Sequence, residues 1–159
     1  MLLDTQPIRT ACFSPNGNYI CLGTNSKSLK ICGLPHLLDD DEEENEDLNL
    51  EYYQTSPDDP SSRVQKLQIL FENDNHHNGS LYCVDWSRSQ RLIASGSYDR
   101  EIKILVTPNL ENEEALNQLL VLVLRGHTAI VRTVCFDPSN DLVLLSGGLS
   151  KLILYNFNR

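Results

Sequence analysis

Apolar residues recur at matching positions in three stretches of this chain: IRTACFSPNGNYICLGTNSKSLKI from Ile8, LYCVDWSRSQRLIASGSYDREIKI from Leu81 and VRTVCFDPSNDLVLLSGGLSKLIL from Val131. With Phe13, Trp86 and Phe136 taken as equivalent, the stretches align without a gap. Ile8, Leu81 and Val131 then coincide, as do Cys21, Ala94 and Leu144, and Leu29, Ile102 and Leu152. Each stretch reads as three short strands separated by turn residues. In the second these are Leu81–Trp86, Leu92–Ser95 and Ile102–Leu105, with turns at Ser87–Arg91 and Gly96–Arg100. Further apolar runs at Val64–Phe71 and Leu119–Leu124 predict a fourth, outer strand for the first two units. Such a unit buries its faces against copies of itself, so the pattern predicts an all-β, radially repeated fold.

This reading divides the chain into a first unit over 1–37, an acidic insert over 38–63 and a second unit over 64–106 that begins with the outer strand of the first. A short loop over 107–118 and an incomplete third unit over 119–159 follow. The insert explains the charge. Asp39 to Glu51 holds nine acidic residues and no basic one, which accounts for the whole net charge of −9. The rest of the chain is balanced, which argues against a general basic field for nucleic acid. The insert lacks the ligand spacing and glycine of a calcium loop and reads as a solvated spacer. The longest apolar run is too short to span a bilayer, and the opening MLLDTQPIRT has no signal-peptide pattern, so a cytoplasmic setting is expected.

The candidate chemistry is sparse. Five cysteines form no CxxC pair, and Cys12, Cys83 and Cys135 fall in strand-like runs where a free cysteine acts as a small buried hydrophobe. His76 and His77 invite a metal, but neighbours on a strand face opposite ways. His77 is claimed by its repeat position, and His36 and His76 are expected at the surface. Asp85 lies in a strand and Asp99 in a turn, and no Ser-His-Asp spacing separates from the repeat pattern. No catalytic residue, cofactor or metal is therefore expected, and the chain reads as a binding protein rather than an enzyme.

The polar signature narrows the fold. GHTAIVRTVCFDPSNDLVLLSGG and ASGSYDREIKI resemble WD40 repeats, with His77 and His127 each at the same distance before Trp86 and Phe136. The resemblance implies a WD40-type β-propeller in which His77, Ser95 and Asp99 form a buried hydrogen-bonded group. It also implies a tryptophan where Leu105 stands, so the group should be incomplete and hold its turn less firmly. The first unit has Asp4 at the His position and Ser26 at the Asp position; the third has Leu149 where Asp is expected. DTQPIR, GTNSKSLKIC, HHNGSLYCVDWS and ASGSYDREIKIL further resemble microtubule-associated WD-repeat scaffolds of neurons and cilia. That resemblance implies cytoskeletal protein partners. An alternative is a WD40 adaptor of an unrelated complex, such as a ubiquitin ligase or vesicle coat.

In such propellers, partners often bind where the first strand enters and at the inner turn. The matching positions are Arg9, Tyr82 and Arg132, with Tyr98 before the turn aspartate, and Arg and Tyr are common interface anchors. Three units also fall short of the four to eight that close a ring. Two faces exposing about 400 Å² each would cost on the order of 10 kcal/mol apiece. The expected remedy is further blades, from a longer chain or from another subunit.

Overall fold

The computed structural model describes residues 7–34, 67–107, 110, 120–149 and 151–158. The insert, Asp4, His36 and most of the loop before 120 lie outside them. All regular elements among the described residues are strands, ordered β1 (Ile8–Phe13), β2 (Tyr19–Thr24), β3 (Leu29–Gly33), β4 (Gln68–Asn73), β5 (Leu81–Trp86), β6 (Leu92–Ser97), β7 (Ile102–Val106), β8 (Leu120–Leu124), β9 (Val131–Asp137), β10 (Asn140–Gly148) and β11 (Leu152–Asn156). They form antiparallel sheets β1-β2-β3-β4, β5-β6-β7-β8 and β9-β10-β11. Both predicted outer strands are present. These are three successive blades of a partial β-propeller, the third with three strands.

The core lies between blades. Cys21, Leu29 and Ile31 of the first blade pack against Leu81, Val84, Trp86, Ile93 and Leu105 of the second. Cys83, Ala94, Ile102 and Ile104 of the second pack against Val131, Val134, Phe136 and Leu144 of the third. Each blade thus has a leading face, centred on the aromatic, and a trailing face, centred on its third strand. Trp86 and Phe136 are 6% and 4% exposed, whereas Phe13, with no blade packed on it among the described residues, is 65% exposed. Ile102 and Ile104 are sealed, whereas their equivalents Leu152 and Leu154 are 70% and 64% exposed. Cys135, on the third blade, is also exposed and Cys12 is half-buried; of these three cysteines only Cys83 is buried.

Every first strand carries a bulge at the same place. Register passes from Ile8↔Thr24 to Thr10↔Gly23, from Leu81↔Ser97 to Cys83↔Gly96 and from Val131↔Gly148 to Thr133↔Gly147. Arg9, Tyr82 and Arg132 are therefore the extra residues, and a bulge re-aims its side chain away from the pleat. The residue across from each bulge is glycine because the backbone is crowded there. A Cβ on Gly96 would stand 2.6 Å from both Cys83 Sγ and Val131 Cγ1, and one on Gly23 2.7 Å from Thr10 Cγ2.

The gapless alignment fails in the third blade. Ile93 opposes Trp86, and Leu144 opposes Phe136, so Leu144 matches Ile93 rather than Ala94. One extra residue stands between Phe136 and Leu144, taken up as a register shift inside β10 between Asn140 and Leu144, and the turn between β10 and β11 is one residue shorter than its counterparts. Leu144 consequently faces the second blade and is fully buried, and Leu145 takes the Ala94 position on the open side. Leu149 accordingly sits in a shortened turn that has no separate position for an aspartate.

Candidate protein-binding site

The three bulge residues meet. The Arg9 guanidinium carbon lies 5.1 Å from the centre of the Tyr82 ring, and that of Arg132 lies 4.9 Å from it. The second blade is the middle one, so its tyrosine is flanked by an arginine from each neighbour. Cation–π contact at exposed sites contributes about 0.5–1 kcal/mol each. Arg9 Nε donates to Asn25 Oδ1 at 2.7 Å, and Ser80 Oγ donates to the same oxygen at 3.0 Å. A polar chain thus runs from the first blade to the third along one end of the sheets. Asn25 and Ser80 were not singled out by sequence because contacts across blades follow no periodicity.

Tyr98 stands apart from this row. It lies in the turn between β6 and β7, largely exposed, and lines an open groove of about 560 Å³ with Asn78, Asp99, Arg100, Ala129 and Ile130. Its N–H donates to Ser80 O at 3.0 Å, which places the groove at the same end of the sheets as the row. Of the four candidate contact residues, then, three form one stack and the fourth flanks it.

Beneath this surface sits the predicted polar group. His77 Nδ1 is 2.9 Å from Asp99 Oδ2, and His77 Nε2 is 2.9 Å from Ser95 Oγ. Asp99 also accepts the N–H groups of Asn78 and Glu101. Burial pulls His77 below its ordinary value against the pull of Asp99. Burial would raise Asp99, but the two N–H donors and His77 outweigh it and hold the carboxyl low. The pair is therefore a neutral imidazole donating to a carboxylate, not a full ion pair.

His76 is not at the surface. Its Nε2 lies 2.9 Å from the same Ser95 Oγ, and its ring meets that of His77 edge-on at 5.0 Å. The two histidines precede β5 rather than lying in it, so the alternation rule does not separate them. The Ser95 hydroxyl, which loses a tryptophan partner to Leu105, is bonded by His76 instead, and the group is not short of contacts. In the third blade His127 Nε2 meets Ser146 Oγ at 2.8 Å, with no acid bonded to His127 among the described residues. In the first, Thr24, Ser26 and Ser28 bond one another through hydroxyls at 2.7 and 2.8 Å.

Ser95, His77 and Asp99 are bonded in the order of a hydrolase triad. Ser95 and His77 are sealed in the interior, however, so no substrate carbonyl can approach the hydroxyl. Asp85 is engaged elsewhere, accepting the Phe136 N–H at 2.6 Å across the second and third blades. Among the described residues no group of three or more His, Cys, Asp or Glu side chains could hold a metal ion, and no helix is long and apolar enough to cross a membrane.

A family profile described as "WD domain, G-beta repeat" matches residues 66–104 and 118–156. The chain carries WD40 repeats. Each matched WD40 segment starts with the outer strand of one blade and supplies the three inner strands of the next, which interlocks the blades. Protein HIRA of Zea mays is 35% identical over 101 residues, covering 57% of this chain and 10% of that protein. Protein HIRA of Dictyostelium discoideum is 28% identical over 102 residues, covering 60% and 9%. Protein HIRA of Oryza sativa subsp. japonica is 33% identical over 95 residues, covering 54% and 10%. The chain thus spans about a tenth of the length of these curated relatives. The finer likeness, to the WD40 domain of the microtubule-associated protein nemitin, gains no support from them.

Proposed function

We propose that this WD40 chain is a non-catalytic protein-interaction scaffold whose contact surface is the sheet end bearing Arg9, Tyr82, Arg132 and Tyr98. The carrying observation is the stack of three bulge residues, one from each blade, around a single aromatic ring. Arginine and tyrosine held in fixed positions lose little freedom on binding and commonly anchor interfaces. The open leading and trailing faces favour completion of the ring by further blades, from a longer chain or a second subunit. Selection from a random-peptide display library tests the surface. Enriched peptides should lose binding to the Arg132→Ala and Tyr98→Ala variants; enrichment indifferent to both would end this assignment.

A cytoplasmic, cytoskeleton-linked role is the finer reading, and its support is the sequence resemblance alone. An adaptor of an unrelated complex would use the same surface. Co-sedimentation with polymerised tubulin separates them. The cytoskeletal role requires enrichment in the pellet that Arg9→Glu with Arg132→Glu abolishes, and no enrichment removes it.

A further inference from the structure

We infer that the Arg9–Tyr82–Arg132 row docks an acidic linear segment of a protein partner, one rich in Asp and Glu. The inference rests on that sheet end being the contact surface. Both guanidiniums lack a carboxylate partner among the described residues, whereas Arg125 pairs with Glu101 and Lys30 with Glu72 at 2.8 Å. They are also held in place beforehand. Tyr82 braces both, and Asn25 fixes Arg9. Their remaining donors face solvent with little conformational freedom left to lose on binding.

The spacing selects the ligand. The Arg9 and Arg132 guanidinium carbons lie 5.1 and 4.9 Å from one ring centre, so the two charges stand no more than about 10 Å apart. An extended peptide places every second side chain on one face, about 6–7 Å apart, so successive carboxylates reach both arginines. The adjoining groove continues the track. Its Arg100 has no carboxylate partner among the described residues, while Asp99 is engaged by His77 and Glu101 by Arg125. Ala129 and Ile130 offer an apolar strip beside these charges. The positive character is local, since outside the acidic insert the sequence is neutral.

Fluorescence anisotropy on the full chain tests this with a labelled Glu-rich peptide of about twelve residues; the control probes are its Gln counterpart and a neutral peptide carrying one phosphoserine. The Glu probe should bind at least about tenfold more tightly than the Gln probe, as expected for charge-assisted contacts. Arg9→Gln and Arg132→Gln should each weaken it about three- to tenfold, Tyr82→Phe should preserve it, and added salt should weaken it. These side chains are at the surface, so the variants should keep the parent circular dichroism spectrum. Equal binding of the Gln probe, tighter binding of the phosphopeptide, or folded arginine variants that bind normally would overturn the inference. Displayed peptides that depend on Arg132 but carry no acids would refute the acidic partner while sparing the contact surface.

Discussion

Ser95 shows how much one hydroxyl organises. With His77 Nδ1–H donating to Asp99, the neutral ring accepts from Ser95 through Nε2, and Ser95 in turn accepts from His76 Nε2–H. This assignment leaves His76 Nδ1 without a partner, one of two such buried side-chain atoms among the described residues. Burial, reinforced by His77 and Lys103, lowers His76 from 6.5 to about 3. The unfolded chain therefore takes up a proton below pH 6.5 that the native chain refuses. Stability is full above that pH and falls as pH drops towards 3, by about 2 kcal/mol at pH 5 from this group. Urea midpoints at pH 7.5, 6 and 5 should show a steep decline that His76→Gln flattens by one proton; parallel declines would contradict the assignment. The spacing of His77, Ser95 and Asp99 was legible in the sequence. His76 was not, because a loop residue follows no period.

At the scale of the strand, β10 tests register. A one-residue slip exchanges the two faces of a strand, and the bulge in β10 between Asn140 and Leu144 produces that slip. Leu144→Ala should cost about 2–4 kcal/mol, as for a sealed leucine in a core, and Leu145→Ala under about 1 kcal/mol. Denaturant unfolding of the two variants measures the difference, and the reverse order would restore the gapless alignment. The apolar residues concealed the slip because Leu142, Leu144 and Leu145 satisfy either register. The glycines reveal it: Gly23, Gly96 and Gly147 sit across from the bulges, and their spacing departs from that of Phe13, Trp86 and Phe136 by one.

For the molecule as a whole, two sheet faces stand open among the described residues. Phe13 on one side and Leu152 and Leu154 on the other are the residues that neighbouring blades cover elsewhere. Each exposed leucine or phenylalanine forgoes about 1.5–3 kcal/mol of burial, so these faces should drive concentration-dependent self-association. Leu152→Glu with Leu154→Glu should leave the strand signal intact and shift the sedimentation profile towards monomer. An unchanged profile would mean that other surfaces govern association.

The repeated apolar pattern alone determined the strands and their grouping into blades, because burial between copies demands those residues at those intervals. Tertiary packing decided the rest. Bulges in three first strands brought Arg9, Tyr82 and Arg132 around one ring, and an extra residue within β10 chose which leucine the third blade would hide. Such outcomes depend on where separate strands come to lie in space, and no spacing along a single strand records that.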